Sequence, residues 1–397
     1  MQNPPTLAEP GIMTVYDDRQ SIVSLRWRWL VIALLYGVVL LIGYWSLRQE
    51  WQSGLAVRWL GLATLTMVIQ IVILWWALDK NRRPSDGSLL PFLGYANGMT
   101  LARGLLTCLL AGFLFAPRPV GLLAWAPALL YSLERLLDYF DGYVARITHH
   151  ETRLGVILDM EFDSVGFLIA VMLAIQYGQL PPWYIVLGLA RQLFVLGLWL
   201  RRRWKLPVYE LPPSEQGRLI AGLQTTFASV VLWPTIAPQI TQLASYLFAV
   251  PLIYSFGRDW LVVSGVVDAD SPRYLAWRWL VKQVFEGWLP LAARLAGAIL
   301  ALVLLWQATG LLTGPALFWG AIALLLLLGV VGRAAALALA VLAGLDLMAT
   351  GLNWSSNGLL LVCALIVVHL GSGRFALWRP EERLLRIKLG HAGPSRR

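Results

Sequence analysis

Apolar stretches of about bilayer length recur along nearly the whole of this chain, and few folds can absorb them. Segments 29–47, 60–78, 289–306 and 316–331 each approach the roughly 20 residues that a helix needs to cross a hydrocarbon core. A bilayer offers no water to the backbone, so each stretch must close its own hydrogen bonds as a helix. With 58% apolar and only 14% charged residues over 397 positions, the composition excludes a soluble domain and points to an all-α integral membrane protein. About twelve transmembrane helices are expected, near 27–47, 57–78, 98–116, 120–138, 160–178, 183–200, 217–235, 241–257, 289–308, 315–331, 334–350 and 357–371. Pro and Gly punctuate the turns, as in Pro117-Arg118-Pro119, Pro181-Pro182 and Thr313-Gly314-Pro315.

Residues 1–25 carry Glu9, Asp17 and Asp18 and no apolar core, so they do not read as a secretory signal and the first crossing is expected to be retained. Two cysteines, Cys108 and Cys363, sit far apart in apolar surroundings, which excludes a disulfide framework and argues against a cysteine metal site. The net charge of +10 is distributed in short alternate loops: Lys80, Arg82 and Arg83; 201–203 with Lys205; Arg273, Arg278 and Lys282; and the tail from Arg374. That is a positive-inside pattern with attraction to anionic lipid, and it argues against nucleic-acid binding. It places both termini on the cytoplasmic side of a cell (inner or plasma) membrane, crossed many times.

Within this apolar frame lie four carboxylates at helical spacing. Asp138 and Asp141 are three apart, and Gly142 and Ala145 continue the same face; Gly155, Asp159 and Asp163 are spaced by four, again one face. If residues 147–154 form a tight turn, the two faces oppose each other across a helix pair. So dense a cluster beside a bilayer calls for a multivalent counter-cation, because an Asp at a helix centre costs roughly 2.5–3.5 kcal/mol to insert. Hard oxygen donors favour Mg2+ or Mn2+. Gly142, Ala145 and Gly155 keep the face thin enough for a flat ligand, and Arg146 is placed to neutralise a bound phosphate or is one more positive-inside residue. A solvated loop or the ion path of a cation-coupled transporter are the other readings of the same aspartates. Glu134 is open between a supporting role beside them and a pair with Arg135, and His149 and His150 read as a wet turn.

The string Asp138-x-x-Asp141-Gly142-x-x-Ala145-Arg146-x8-Gly155-x3-Asp159-x3-Asp163 resembles, at every defined position, the signature of the CDP-alcohol phosphatidyltransferases. Upstream, Asn97-Gly-Met-Thr100-Leu-Ala-Arg103 is similar to the Asn-x-x-Thr-x-x-Arg that opens the family's first helix. The resemblance covers about 91–265, a six-helix core. It implies an enzyme that moves a phosphatidyl group from CDP-diacylglycerol to an alcohol with release of CMP, in phospholipid biosynthesis, at the cytoplasmic face, as a homodimer. It implies two Mg2+ or Mn2+ ions on Asp138, Asp141 and Asp159, with Asp163 as general base and a further metal ligand. Gly142, Ala145, Arg146 and Gly155, with Asn97 and Thr100, would line the CDP site.

The acceptor is harder to read. The family's phosphatidylglycerophosphate synthases usually carry a lysine after the last aspartate, where this chain has Ser164. Thr152-Arg153 is similar to a pattern in bacterial phosphatidylinositol-phosphate synthases. Arg191, amid the apolar run 186–200, and Arg258, beside Asp259, are further candidates for the acceptor's phosphate. Together they lean toward a phosphorylated polyol such as inositol phosphate or glycerol phosphate.

The expected organisation is then 1–90 with two extra helices, the core 91–265, a linker 266–288 and a module 289–397. In the linker, Asp268-Ala-Asp270-Ser-Pro272 reads as a turn and 273–288 as an interfacial amphipathic helix. The module's four helices, with Gly371-Ser-Gly-Arg374 at their end and a basic tail, resemble a DoxX-type membrane module.

Overall fold

The computed structural model describes residues 10–83, 87–147, 152–211, 215–309 and 314–380. No strand occurs among them, and the architecture is all-helical. They fall into two compact units: Met1–Gly178 with Ala228–Thr235, and Gln179–Phe227 with Ile236–Arg397.

The first unit contains α1 (Pro10–Glu50), α2 (Ser53–Ala77), α3 (Gly94–Ala111), α4 (Ala126–Ile147) and α5 (Arg153–Gln176). The buried residues of α3 include Ala96, Asn97, Thr100, Arg103, Gly104, Thr107, Cys108 and Ala111, at successive intervals of one or three, with Leu101 and Leu110 beside them. That is the helical period written mostly in small and polar residues, and it lets neighbouring helices come close. Within the hairpin of α1 and α2, Trp29 Nε1 donates to the Ile71 carbonyl at 2.8 Å, and the hairpin braces α3 through two side chains: the Tyr36 hydroxyl donates to the Leu101 carbonyl and Trp59 Nε1 to the Leu109 carbonyl at 3.1 Å. Below these lies an apolar core that includes Leu25, Leu74, Leu101, Leu154, Leu158 and Phe162.

Thr152 starts α5. Its extended backbone and its Oγ1, which accepts from the Gly155 N–H at 3.1 Å, make it the N-cap. Arg153 and Leu154 are therefore helical, and the turn expected over 147–154 is shorter on that side; His149 and His150 lie outside the described residues.

The second unit contains α6 (Ile185–Gly188), α7 (Ala190–Arg203), most of α8 (Glu215–Val231), α9 (Pro238–Val263), α10 (Pro272–Gln283), α11 (Leu289–Thr309), α12 (Gly314–Leu328), α13 (Gly332–Thr350) and α14 (Leu359–Leu370). Asp268 to Ser271 form the expected turn: Asp268 Oδ1 accepts from the Asp270 N–H at 3.0 Å, and Ser271 Oγ accepts from the Tyr274 N–H at 3.3 Å and so caps α10. A π-helical turn, Val284–Trp288, carries α10 into α11. The core of α11 to α14 is rich in alanine, with Ala298, Ala301, Ala323 and Ala336 beside Leu326, Leu339, Leu360 and Val367. Small side chains of this kind let apolar helices pack closely where lipid competes for every larger one.

Among the described residues five helices are long and apolar enough to cross a membrane, or six if the bent pair Pro182–Gly188 and Ala190–Arg203 counts as one. The chain is thus a multi-pass membrane protein. The helices α4 and α5 fall outside that set, α5 because Asp159, Glu161 and Asp163 crowd its apolar stretch and α4 because it is charged and less apolar, and α8, α12 and α14 are short.

Two substitutions test this packing. A Cβ at Gly104 would stand 2.6 Å from both the buried Phe162 ring and Gln70 Oε1, whereas one at Gly61 would meet nothing within 4 Å. Gly104→Ala is expected to destabilise by about 1–3 kcal/mol through overpacking, and Gly61→Ala to leave thermal unfolding in detergent unchanged or raised. Thr152→Val removes the cap and is expected to cost about 1 kcal/mol in the same measurement, with Thr152→Ser restoring it.

Candidate functional site

Two adjacent helices and the face of α3 bring the acidic residues together. One carboxylate oxygen each from Asp138 and Asp141 on α4 and Asp159 on α5 lie within 4.8 Å of one another. Opposite ligands of a single octahedral ion at about 2.1 Å stand about 4.2 Å apart, so closing this trio on an ion needs a shift of roughly half an ångström. Thr100 joins them, its Oγ1 lying 3.3 Å from Asp141 Oδ2.

At the centre stands Arg103, with no exposed surface. Its Nη1 donates to Asp141 at 2.5 Å and to Asp159 at 2.7 Å, its Nη2 lies 2.7 Å from Asp138 and donates to Asp163, and its Nε is 3.5 Å from Glu134. The last distance is an ion-pair contact without a hydrogen bond, since Nε has no hydrogen-bond partner. A second guanidinium, Arg135, lies over the fully buried Tyr131 ring at 5.5 Å and donates to Glu134, to Asp163 at 2.9 Å and to Asp138 at 3.4 Å. Glu134 therefore fills both roles left open for it, pairing with Arg135 and standing beside the aspartates through Arg103.

Charge and donor chemistry decide what the site accepts. Five carboxylates in direct contact with two guanidiniums leave three negative charges over, in a place that is half-buried. All the spare donors are hard carboxylate oxygens. Such a set fits a hard divalent cation.

Asp163 is held asymmetrically. Its Oδ1 accepts from both Arg103 and Arg135, while its Oδ2 is bonded to none of the described residues. Asn97, 2% exposed, donates from Nδ2 to Thr152 Oγ1 at 3.2 Å and lies 3.5 Å from Asn81 Oδ1. Its Oδ1 sits where a Cβ on Gly155 would be, 2.5 Å away, so the absence of a side chain at Gly155 is what lets Asn97 in. Gly142, Ala145 and Arg146 continue α4 toward Ile147, and the expectations for their side chains lie outside the described residues.

The three acceptor candidates are scattered. Arg153 is exposed at the first position of α5, and its N–H donates to the Arg82 carbonyl at 3.3 Å. Arg191 and Arg258 belong to the second unit. Sequence places Arg191 in the middle of a crossing; the structure puts it in the first turn of α7, just past a 55° break after Gly188, half-buried. A break in a helix leaves backbone groups that must be satisfied by polar partners, a setting in which an arginine costs less than in an unbroken apolar span. Arg258 is nine-tenths buried, donates to Asp259 Oδ1 from Nε at 2.9 Å and Nη2 at 2.5 Å, and lines a cavity of about 380 Å³ with Asp268, Ser271 and Tyr274.

Residues 93–255 match the model of the CDP-alcohol phosphatidyltransferase family. The chain is 36% identical over 89 residues to a CDP-diacylglycerol–glycerol-3-phosphate 3-phosphatidyltransferase of Cereibacter sphaeroides, covering 22% of this chain and 39% of that protein. It is 33% identical over 88 residues to the protein of the same name from Salmonella typhimurium, covering 20% and 46%. Over 112 residues it is 29% identical to a protein of Mycobacterium bovis provisionally named a cardiolipin synthase, covering 28% and 50%. The chain thus spans half or less of the length of each of these relatives. No solved structure matches it. The aspartates gathered between α4 and α5 lie within residues 93–255, the stretch over which this chain is similar to the CDP-alcohol phosphatidyltransferase family.

Proposed function

We propose that the protein transfers a phosphatidyl group from CDP-diacylglycerol to the hydroxyl of a phosphorylated polyol such as glycerol phosphate or inositol phosphate, releasing CMP, in phospholipid biosynthesis. The observation that carries this reading is the convergence of Asp138, Asp141 and Asp159 with Asp163 at their side, inside the stretch that matches the family. The match and the relatives' names support it over a cation-coupled transporter. The names also favour a glycerol phosphate acceptor, while Ser164 in place of the expected lysine leaves inositol phosphate in contention.

Asp138, Asp141 and Asp159, with Asp163 as a further ligand, would hold two Mg2+ or Mn2+ ions, which supply charge neutralisation on the diphosphate and on the departing CMP. An alcohol is a poor nucleophile at neutral pH, so a carboxylate must take its proton during attack. Asp163 suits this role, because Oδ1 is anchored by Arg103 and Arg135 and Oδ2 is left to accept the proton. The acceptor oxygen bonds to the phosphorus that bears diacylglycerol, the bond from that phosphorus to the bridging oxygen breaks, and CMP leaves with the electron pair. Gly142, Ala145, Gly155, Asn97 and Thr100 would line the CDP site, and Arg146 would pair with its phosphates. Arg153 is the first unit's candidate for the acceptor's phosphate; Arg191 and Arg258 remain candidates within the second. The proposal includes about twelve crossings, a cytoplasmic active site with both termini on that side of a cell membrane, a homodimer and a DoxX-like C-terminal module.

Purified protein given CDP-diacylglycerol, Mg2+ or Mn2+ and a panel of glycerol phosphate, inositol phosphate, serine and phosphatidylglycerol should release CMP with a phosphorylated polyol only when a divalent ion is present. Absence of CMP with every acceptor contradicts the proposal. Asp163→Asn should cut CMP release by about 10²–10⁴-fold and leave CDP-diacylglycerol binding largely intact; near-normal turnover in that variant refutes its role as base.

A further inference from the structure

Arg103 fills a place that the proposed ions also need. Its guanidinium is fully buried, and its two terminal nitrogens are shared among Asp138, Asp141, Asp159 and Asp163. Three of those are the residues whose oxygens lie within 4.8 Å of one another. A carboxylate oxygen has few lone pairs, and a guanidinium and a divalent cation repel each other, so both cannot hold these oxygens at full strength. The helix beneath Arg103 has little freedom to withdraw, because Tyr36 and Trp59 tie α3 down at the Leu101 and Leu109 carbonyls on either side of it. Any yielding must come from the side chain. Arg135 is differently placed: it holds Glu134 and Asp163, reaches Asp138 only at 3.4 Å, and has no ion pair with Asp141 or Asp159.

We infer that Arg103 is the built-in counter-cation of the acidic site. It holds the carboxylates of α4 and α5 together before divalent ions load, and it competes with those ions for Asp138, Asp141 and Asp159, so that it sets the affinity of the site for them. The inference rests on the reading that the site loads divalent ions. Arg103 is in this sense a positioning residue. It keeps mutually repelling groups at the separation an ion can bridge, and it limits loading to conditions in which a divalent ion outcompetes a fixed positive charge.

The test is a Mn2+ titration of the purified full chain, followed by the electron paramagnetic resonance signal of free Mn2+, together with thermal unfolding in ion-free buffer. Relative to wild type, Arg103→Gln should bind Mn2+ at least about tenfold more tightly, unfold at a lower temperature without ions, and gain more from Mn2+. Arg103→Lys, which keeps the charge but not the fork, should stay within about threefold of wild type in affinity. Arg103→Met, neutral and of similar length, carries the same expectation as the Gln variant. If both neutral variants fold only when excess Mn2+ is supplied, the inference is supported; if they fail to fold with or without it, the inference is overturned. Unchanged or weaker Mn2+ binding in folded Arg103→Gln overturns it while leaving the metal reading intact. Wild-type protein that takes up no Mn2+ overturns the metal reading itself and this inference with it.

Discussion

The first unit depends on a balance of charge that would be untenable if any part of it were alone. Arg103 lies at zero exposure inside a membrane protein, and a buried guanidinium persists only where carboxylates surround it. Glu134, Asp138, Asp141, Asp159 and Asp163 do so, and they in turn would drive α4 and α5 apart without Arg103 and Arg135 between them. The compensation is incomplete. An excess of negative charge remains at the mouth of the site, where Asp138, Asp159 and Asp163 keep about a third or more of their side-chain surface exposed. Structure is held by the compensated part, and the uncompensated part is what the proposed divalent ions would neutralise.

The surrounding scaffold serves that balance. Polar and small residues predominate on the buried face of α3 around Arg103, because larger apolar side chains there would hold the carboxylates away from it. Gly155 yields space to Asn97, and Thr152 binds Asn97 and the start of α5 with a single hydroxyl, so the pitch and the starting point of the helix bearing Asp159 and Asp163 are set by the same contact. The two N-terminal helices gain a physical role from this. They hydrogen-bond to the α3 backbone at Leu101 and Leu109, on either side of Arg103 in sequence, and fix the base on which it stands.

Much of this was legible in the sequence. The intervals of three between Asp138 and Asp141 and of four between Asp159 and Asp163 imply one face per helix, and the carboxylates do converge. Arg103 was visible only as the last position of a motif. The signal that could have singled it out is its register, since Asn97, Thr100 and Arg103 fall three apart on the buried face of α3. A single arginine near a loop reads equally well as a positive-inside residue, and nothing in sequence ranks long-range partners 31 to 60 positions away. The bend before Arg191 was hidden for another reason: 186–200 is apolar throughout apart from Arg191 and Gln192, and apolarity alone carries no record of a break at Gly188. Crossing number was blurred by the site itself, because the charges that do the proposed chemistry make α4 and α5 look less like membrane helices than they would otherwise.

Whether the acidic nest takes divalent ions between α4 and α5 decides the rest. Anomalous diffraction from crystals grown with Mn2+ asks this directly. Mn2+ peaks bounded by Asp138, Asp141 and Asp159 are expected, with the Arg103 guanidinium drawn back from at least one of them. Saturating Mn2+ that leaves no peak there, with Arg103 still bonded to Asp141 and Asp159, would contradict a divalent-ion site.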